Sequence, residues 1–275
     1  MRAGDTARVL ASALGDTMLP EERRRHILQD IETGNAAEVG ALSEKYAVSE
    51  MTIRRDLKVL EDDGHIRRAH GGAIRLTSST VEPRYAAKQK VNASRKERIA
   101  QYVAEQLVSD GDIIILEGGT TVTSLAHRLT VRPGLTVVTN GLYTTNELRH
   151  LLPHVSVICT GGILRDVSFT YVGPTAERFF QEFHANKLFL SGTGLTLEAG
   201  LTDPNMLESQ LKRAMISAAG TTIIMLDSSK FGVQSLTTLV HPGRGNILVT
   251  NDDAPPDVIE QLYARGVDVR LVPGA

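Results

Sequence analysis

The stretch SEMTIRRDLK, residues 49–58, decides the fold of the first part of this chain. Ser49 is a preferred helix cap, because its hydroxyl can accept a hydrogen bond from a free N–H of the first turn. Ile53, Leu57 and Leu60 follow at i, i+4 and i+7 and lie within about 40° of Ile53 on a helical wheel. The pattern predicts a helix that begins after Ser49 and buries one apolar side.

Two other short helices are predicted before this one, in the segments 20–34 and 37–48. Their apolar residues recur at helical spacing: Ile27, Leu28, Ile31, Ala37, Leu42 and Tyr46. Three short helices with a tight joint between the second and the third form a helix-turn-helix motif. The Gly71-Gly72 pair then separates two short runs of β character, which predicts a hairpin wing after the third helix.

The side of the third helix that faces away from its apolar residues carries Met51, Arg55 and Lys58. In a helix-turn-helix motif this helix enters the major groove of DNA, where an arginine can form two hydrogen bonds with a guanine edge. Arg54 lies on the flank and is expected to hold a phosphate. A solvated surface helix also presents arginine and lysine, but the preceding helices and the basic wing favour DNA. The residues predicted to contact DNA are Ser49, Met51, Thr52, Arg54, Arg55, Lys58, Arg67, Arg68 and His70.

The segment VSEMTIRRDLKVLEDDGHIRRAHGGAI, residues 48–74, is similar to the N-terminal signature of the DeoR family of bacterial transcriptional regulators. That signature is a helix with the pattern S-x-x-T-I-R-R-D-L-x-x-L-x-x-x-G, followed by R-x-H-G-G. Every specified position is matched here, from Ser49 to Gly64 and from Arg68 to Gly72. The resemblance implies a winged helix-turn-helix domain that binds operator DNA.

The composition is that of a globular protein with two domains. The 275 residues are 41% hydrophobic and 23% charged, which argues against a disordered chain. Residues 20–96 hold 15 Lys and Arg against 12 Asp and Glu, whereas residues 97–275 hold 13 against 18, so the two parts are expected to have different partners. No apolar run is long enough to span a bilayer and no export signal is recognised, so a cytoplasmic protein is expected.

The single cysteine, Cys159, excludes a disulfide within the chain and is expected to be a small buried hydrophobe. The eight histidines are scattered along the sequence and form no ligand-like cluster with Cys159 or with carboxylates. No metal site and no cofactor are therefore expected.

From residue 97 onward, apolar runs alternate with helical segments. The runs DIIIL, LTVVT, VSVIC, KLFLSG, TTIIML, NILVT and VDVRL are predicted strands. Continuous apolar strands separated by helices are typical of a parallel sheet covered on both faces, so an α/β fold with a mainly parallel sheet is predicted. The predicted organisation is an N-terminal extension (residues 1–19), a winged helix-turn-helix domain (20–76), a linker (77–96) and an effector-binding α/β domain (97–275).

Loops rich in Gly and hydroxyl residues follow several predicted strands: EGGTT at 117–121, TNG at 139–141, TGG at 160–162 and SGTG at 191–194. One such loop by itself is most simply a turn. In open parallel sheets, however, ligands bind beyond the carboxyl ends of the strands, where these loops gather. Backbone N–H groups, hydroxyls and a helix N-terminus suit a phosphate, so an anion site is predicted at this edge of the sheet.

The same loops match the C-terminal part of the DeoR family, which resembles ribose-5-phosphate isomerase and binds a phosphorylated sugar or a related metabolite. The resemblance implies that the effector is bound by Gly119, Thr120, Thr121, Asn140, Gly141, Gly161, Gly162, Arg165, Thr193, Gly194, Lys212 and Lys230. Lys212 can instead be an exposed helix lysine, and Lys230 can instead pair with Asp227. Two positions depart from the family pattern: Thr193 stands where many members carry an acid, and Glu117 where a small residue or Asp is frequent. The sugar is therefore left unnamed.

Two functions remain in competition. The leading hypothesis is a repressor of a carbohydrate-metabolism operon that binds double-stranded operator DNA under the control of a phosphorylated sugar. Because helix-turn-helix proteins generally bind paired half-sites, a homo-oligomer, either dimer or tetramer, is expected. The alternative is an isomerase of a sugar phosphate with Glu208 as its base. Thr193 stands where an acid would help, so no enzyme activity is predicted.

Overall fold

The computed structural model describes residues 18–34, 36–62, 66–69, 71–75, 78–79 and 82–274. The chain divides into two compact units whose boundary lies between Thr77 and Ser78, one residue beyond the predicted end of the first domain. Residues 1–17 of the predicted extension lie outside the described residues. Within the described ranges, no helix is long and apolar enough to cross a membrane.

The described residues of the N-terminal unit combine three helices with a small sheet. In chain order the elements are α1 (Pro20–Gly34), β1 (Ala36–Glu38), α2 (Val39–Tyr46), α3 (Glu50–Asp62), β2 (Ile66–Ala69) and β3 (Gly72–Arg75). The strands form an antiparallel sheet in the order β1-β3-β2. The winged helix-turn-helix fold is thereby confirmed.

A hydrophobic core holds the N-terminal unit together. Its buried members are Ile27, Ile31, Val39, Leu42, Ile53, Leu57, Leu60, Ile66 and Ala73. The helices contribute residues that their apolar periodicity predicts, because positions i and i+4 share a face. Ala37 differs from the prediction, since it lies in β1 opposite Ala73 of β3 and not in a helix. Gly72 permits this close approach, because a Cβ there would lie 2.3 Å from the carbonyl oxygen of Ala37.

The described part of the C-terminal unit alternates helices and strands. Its helices are α4 (Tyr85–Lys90), α5 (Ala93–Gln106), α6 (Thr120–Arg128), α7 (Leu142–Glu147), α8 (Pro174–Glu182), α9 (Met206–Ser217) and α10 (Pro256–Ala264), with short 3-10 turns at Leu148–Leu151 and Ser228–Lys230. Its strands are β4 (Ser78–Ser79), β5 (Ile113–Leu116), β6 (Thr136–Thr139), β7 (Ser156–Cys159), β8 (Ile163–Leu164), β9 (Tyr171–Val172), β10 (Ala185–Leu190), β11 (Gly194–Thr196), β12 (Gly200–Asp203), β13 (Ala219–Met225), β14 (Gln234–Ser235), β15 (Thr237–Val240), β16 (Asn246–Asn251) and β17 (Asp268–Val272).

Seven of these strands form one parallel sheet in the order β17-β16-β13-β10-β5-β6-β7. They are the seven apolar runs predicted as strands, so the α/β prediction is confirmed. Neighbouring residues of a strand point to opposite faces, and Leu188 and Phe189 accordingly belong to two different buried clusters. The strand order reverses between β5 and β10, which places a crevice at the carboxyl ends of these two strands.

The segment 77–96, predicted as a linker, contains regular structure in its described part. β4 pairs in parallel with β14, α4 begins at Tyr85, and α5 begins at Ala93. Tyr85 is only 2% exposed, and its ring stacks on Tyr143 with 4.4 Å between the centroids. The segment therefore packs on the C-terminal unit. The polar composition of the segment did not predict this packing, because a single large aromatic residue, Tyr85, anchors the short helix α4.

Cys159 is exposed, so the expectation of a buried cysteine is wrong. It ends β7, which forms one edge of the seven-stranded sheet. Its Sγ lies 3.2 Å from Thr145 Oγ1. An edge strand has a neighbouring strand on one side only, so its apolar pattern does not ensure burial of every residue.

Candidate DNA interface and effector site

Ser49 caps the third helix of the N-terminal unit. The Thr52 N–H donates to Ser49 Oγ at 3.1 Å, and the two hydroxyl oxygens lie 2.9 Å apart. The predicted cap is confirmed, and α3 begins at Glu50. The first turn of α3, which carries Met51 and Thr52, is therefore fixed by hydrogen bonds of its own.

The outward face of α3 is exposed, as the helical spacing predicts. Met51 is 63% exposed, and Arg55 and Lys58 are also exposed. Arg54 is exposed too, but its guanidinium pairs with Glu50 at 2.7 Å. Within the described part of the chain, Arg55 and Lys58 form no ion pair. The face predicted to enter the groove thus carries two cations that are free to bind phosphate or base.

Glu61 ties the wing to the end of α3. Its carboxylate accepts the Arg68 backbone N–H at 2.9 Å and Arg68 Nε at 2.7 Å. Partial burial would raise the pKa of Glu61, but the bonds from Arg68 lower it below its ordinary value. Arg68, predicted to contact DNA, is therefore exposed but already paired. The side chain of Arg67 and all of His70 lie outside the described residues.

A buried ion pair fixes α3 against α1, and the sequence reasoning missed it. Asp56 is 3% exposed; its Oδ2 accepts from Arg23 Nε at 2.7 Å, and Arg24 lies 3.5 Å from its other oxygen. On the helical wheel Asp56 lies about 60° from Ile53, beside the apolar residues, which is the signal that predicts its burial. The pair sets the rotation of α3 that turns Arg55 outward.

In the C-terminal unit, the loops after β5 and β6 pack directly against each other. The Asn140 amide accepts the Gly118 N–H at 3.0 Å and donates to the Tyr171 carbonyl at 3.2 Å. A Cβ on Gly118 would lie 2.9 Å from Gly141 Cα, so this approach requires glycine. Asn140 and Gly141, both predicted to bind the effector, use these groups to hold the loops together.

The loop after β5 leads into α6 at the crevice. Gly119 precedes the helix, and Thr120 and Thr121, both buried, form the start of its first turn. A Cβ on Gly119 would lie 2.2 Å from Ser191 Oγ, so this loop touches the loop after β10. The first turn of a helix has free N–H groups and a partial positive charge, both of which suit an anion.

Lys212 is buried, which excludes the alternative of an exposed helix lysine. Its Nζ lies 2.8 Å from Asp203 Oδ2 and 3.1 Å from Glu117 Oε1, and it donates to the Ser191 carbonyl at 3.2 Å. Burial alone would lower the pKa of Lys212, but the surrounding carboxylates, above all Asp203, raise it. The charged amine therefore joins α9 to the loops after β5 and β10.

Arg165 is held between two carboxylates. Its Nη1 donates to Glu208 Oε1 at 2.7 Å, and its Nη2 donates to Glu82 Oε2 at 2.6 Å. Glu208 Oε1 also accepts from the hydroxyls of Ser168 and Thr170, whereas its Oε2 is buried without a hydrogen-bond partner in the described structure. Burial alone would lower the pKa of Arg165, but Glu82 and Glu208 raise it above its ordinary value. The guanidinium is consequently charged and fully engaged with acids.

A second group of polar side chains surrounds Asp227. Asp227 is 1% exposed; its Oδ1 accepts from Asn92 Nδ2 at 3.0 Å and from the Ser229 N–H at 3.2 Å. Its Oδ2 is buried and has no hydrogen-bond partner among the described groups. The Lys230 side chain is half-buried and forms no ion pair in the described chain, so the proposed pairing with Asp227 is not formed.

Lys96 is the buried amine of this region. It is 5% exposed, and its Nζ donates to the Lys88 carbonyl. Burial, together with Lys230 and Lys88, lowers the pKa of Lys96 to about 8, although Asp227 opposes the shift. The Lys96 amine near Asp227 therefore loses its proton at a lower pH than an exposed lysine does.

The remaining predicted effector residues lie in turns. Gly161 and Gly162 follow the edge strand β7 with φ angles of 64° and 117°, which favour glycine. The Thr193 N–H donates to the Thr202 carbonyl at 2.9 Å, and Gly194 begins β11. In the described chain, none of these four residues takes part in the ion pairs of Arg165 and Lys212. Among the described residues, no group of His, Cys, Asp or Glu is arranged to hold a metal ion.

Sequence reasoning missed two of the acids that surround the predicted cations, Glu82 and Asp203. Glu82 and Lys88 lie in the segment interpreted as a linker, and Asp203 ends a short strand. Part of the arrangement had a detectable signal, because Glu208 and Lys212 are four residues apart on α9 and share a face. Glu82 had no such signal, since its partner Arg165 is distant in the chain.

Models of one protein family match both units. Residues 23–79 match the DeoR-like helix-turn-helix domain, and residues 91–252 match the DeoR C terminal sensor domain. Together the two matches cover the wing, the recognition helix, Arg165 and Lys212, but not Glu82 and Lys88. The C-terminal unit is therefore a sensor domain.

Full-length relatives give the same answer. The chain is 35% identical over 256 residues to the uncharacterized HTH-type transcriptional regulator YulB of Bacillus subtilis (strain 168), covering 93% of this chain and 98% of the relative. It is 35% identical over 253 residues to a putative aga operon transcriptional repressor of Escherichia coli O157:H7, covering 91% and 93%. Among solved structures, ribose 5-phosphate isomerase A of Methanocaldococcus jannaschii matches with a TM-score of 0.37 and 14% identity over 51% of this chain and 55% of that one.

The structural score is low, so the assignment rests on the sequence matches. These relatives are regulators that carry a helix-turn-helix domain, and the chain is accordingly a DNA-binding regulator of transcription and not an enzyme. The chain belongs to the DeoR family of transcriptional regulators.

Proposed function

We propose that this regulator represses a carbohydrate-metabolism operon and that a phosphorylated sugar or a related metabolite controls its affinity for operator DNA. The observation that carries the proposal is the exposed α3 face, on which Arg55 and Lys58 have no ion-pair partner in the described chain. This face belongs to the same chain as a sensor domain with buried cations at its strand ends. The name of the Escherichia coli relative, an operon repressor, supports repression.

Arg55 is the residue proposed to recognise a base. It is exposed at the centre of the α3 face, and bidentate contact of arginine with guanine is the commonest specific contact in the major groove. The flanking polar residues would bind phosphates and fix the register on the duplex. These flanking residues are Ser49, Thr52, Arg54, Lys58, Arg67, Arg68 and His70, while Met51 would contact a thymine methyl.

The effector is proposed to bind at the carboxyl edge of the sheet between β5 and β10. Gly119, Thr120 and Thr121 would offer it the N-terminus of α6. Arg165 is the proposed phosphate partner, because a guanidinium matches a phosphate with two parallel hydrogen bonds. Lys230 supplies a further cation without an ion-pair partner in the described chain.

Lys212 is proposed to act on the sugar side of the effector. Two carboxylates, Glu117 and Asp203, already neutralise its charge. Held in place by Lys212, these acids can accept hydrogen bonds from sugar hydroxyls. The other predicted residues shape the loops: Asn140, Gly141, Gly161, Gly162, Thr193 and Gly194.

The assembly is proposed to be a homo-oligomer, either dimer or tetramer. A helix-turn-helix domain generally binds one half-site, and paired domains bind two half-sites one helical turn or more apart. The sensor domain would then carry the contacts between subunits. The protein would act in the cytoplasm, where bacterial DNA is found.

Selection of operator fragments followed by mobility shifts at fixed salt tests the DNA part. Arg55→Ala is expected to weaken operator binding roughly 5- to 150-fold, because a bidentate base contact contributes about 1–3 kcal/mol. Arg25→Ala is the matched control, since Arg25 is an exposed arginine on α1, and it is expected to bind like the wild type. Equal binding of operator and unrelated DNA by the wild type and both variants would refute specific recognition.

A panel of sugar phosphates tests the effector part, with the parent sugars as uncharged controls. One member of the panel is expected to weaken operator binding roughly 5- to 150-fold, the range of a typical allosteric coupling of about 1–3 kcal/mol. The parent sugar is expected to have no effect. If no phosphorylated compound changes the operator affinity, the effector part of the proposal is wrong while the DNA part stands.

A further inference from the structure

Glu82 connects the sensor site to the segment that leads from the N-terminal unit. It lies between β4 and α4, and its side chain is only 12% exposed. Its Oε2 accepts from Arg165 Nη2 at 2.6 Å, and its Oε1 pairs with Lys88 Nζ at 3.3 Å. An acid of the connecting segment thus pairs with the arginine proposed to bind phosphate and with a lysine of its own segment.

The charges at this site leave no room for an additional anion. Three cations, Lys88, Arg165 and Lys212, meet four acids, Glu82, Glu117, Asp203 and Glu208, so the formal charge of the group is −1. Charges in a partly buried site interact strongly, because little water screens them. A phosphate bound beside Glu82 would add like charge, whereas departure of Glu82 would free both Arg165 and Lys88.

We propose that Glu82 occupies the place at Arg165 that the phosphate of the effector takes, so that effector binding displaces Glu82 and loosens the chain between β4 and Tyr85. The inference rests on the proposed function, which supplies a phosphorylated effector. Tyr85 is 2% exposed and stacked on Tyr143, so α4 stays anchored. The freed stretch lies on the chain that leads to the DNA-binding domain, and the next attachment on that chain is the two-residue strand β4, which pairs with β14. Loosening of the stretch therefore transmits the signal through β4.

Glu208 is the reason why Arg165 stays in position during this exchange. Its Oε1 accepts from Arg165 Nη1 at 2.7 Å and from Ser168 Oγ at 2.8 Å, and it forms no bond to Nη2 in the described structure. Nη2, which donates to Glu82, is therefore the end of the guanidinium that can change partner. The exchange replaces one carboxylate by one phosphate without moving the arginine.

The test titrates the full-length protein with inorganic phosphate by calorimetry and measures its affinity for a selected operator. Glu82→Gln keeps the shape of the side chain and removes the competing charge. It is expected to bind phosphate about tenfold more tightly than the wild type or more, because one competing carboxylate is removed. Glu198→Gln is the matched control, since Glu198 is exposed and forms no ion pair in the described chain.

The operator measurement tests the coupling without any ligand. Free Glu82→Gln protein is expected to bind the operator with an affinity shifted in the direction that saturating phosphate shifts the wild type, by about fivefold or more. Glu198→Gln is expected to match the wild type. Arg165→Met is expected to lose phosphate binding.

Three results would overturn the inference: equal phosphate affinity in Glu82→Gln and wild type, tighter phosphate binding with unchanged operator affinity, or undiminished phosphate binding by Arg165→Met. Failure of the proposed effector looks different. If no sugar phosphate of the panel acts on the wild type, but Glu82→Gln binds phosphate more tightly and shifts operator affinity, the sugar-phosphate effector is lost and the exchange at Arg165 is retained.

Discussion

Lys96 shows how burial changes the chemistry of one residue. Its pKa is lowered from 10.5 to about 8, chiefly by burial. Between these two values the unfolded state binds more protons than the folded state. The folded protein therefore gains stability as the pH rises from about 8 to 10.5 and loses it again as the pH falls from 10.5 to about 8. The full shift corresponds to about 3 kcal/mol.

Lys96→Met is expected to raise the free energy of unfolding of the C-terminal unit at neutral pH by up to about 3 kcal/mol. It should also remove most of the rise that the wild type shows between pH 8 and about 10. Urea unfolding across this pH range measures both effects. Lys90→Met is the control, because Lys90 is exposed on α4, and it should keep the wild-type pH dependence. Loss of stability in Lys96→Met at neutral pH would show that the electrostatic attraction of Asp227 and the bond to the Lys88 carbonyl outweigh the burial.

The residue types at the sensor site could be predicted from the sequence, but their partners could not. Lys212 was selected as an effector-binding candidate because of its motif, and that role stays a prediction. Its burial depends on Glu117 and Asp203, which come from other elements far away in the chain. Side-chain spacing within one helix carries no information about such partners, so Asp203 was missed and the pairing of Glu117 with Lys212 was not predicted.

At the scale of the element, Asp56 is the residue that positions the recognition helix. It does not belong to the exposed face, yet its bond to Arg23 sets the rotation of α3 against α1. Asp56→Asn is expected to lower the free energy of unfolding of the N-terminal unit by about 3–5 kcal/mol, because Arg23 is left as a buried charge without its partner. Operator affinity should fall as well, although Asp56 touches no DNA.

Glu50→Gln is the matched control on the same helix. It breaks the pair between Glu50 and Arg54, whose side chains are 52% and 53% exposed. An exposed pair contributes only about 0–1 kcal/mol, so the stability should barely change. Urea unfolding of both variants, followed by circular dichroism, makes the comparison. Equal destabilisation by the two substitutions would contradict the role given to the buried pair.

The helices and strands with a strong apolar period were predictable, and the short anchored elements were not. The apolar residues of α1 and α3 fall where their spacing places them, because burial of one face imposes that spacing. β1 has three residues, and its pairing with β3 depends on the absence of a side chain at Gly72. α4 depends on Tyr85 alone for its buried contact. Neither feature produces a periodic pattern.

At the scale of the whole molecule, each unit has a hydrophobic core of its own. The core of the N-terminal unit includes Leu57, and the cores of the C-terminal unit include Leu188 and Phe189. The seven strands of the sheet were predictable from their apolar runs, but their order was not, since pairing joins runs that are distant in sequence. The position of the crevice between β5 and β10 therefore emerged only from the fold.

Because each unit has its own core, the DNA-binding unit and the sensor unit are expected to unfold in separate transitions. Leu57→Ala removes a side chain that is 1% exposed, which should cost about 2–5 kcal/mol, a large share of the stability of a small domain. Calorimetry is expected to show a lower transition temperature for the N-terminal unit and an unchanged transition temperature for the C-terminal unit. Operator binding should be lost, while the affinity of the sensor domain for inorganic phosphate should stay at the wild-type value.

Leu188→Ala provides the reciprocal control, because Leu188 is 0% exposed in the sheet of the sensor domain. Leu188→Ala should lower the transition temperature of the C-terminal unit and leave that of the N-terminal unit unchanged. If either substitution shifted both transitions together, the two cores would be one cooperative unit. A signal could then pass from one unit to the other through shared packing, and displacement of Glu82 from Arg165 would not be needed to carry it. If the two transitions are independent, the connecting segment is left as the route by which effector binding changes operator affinity.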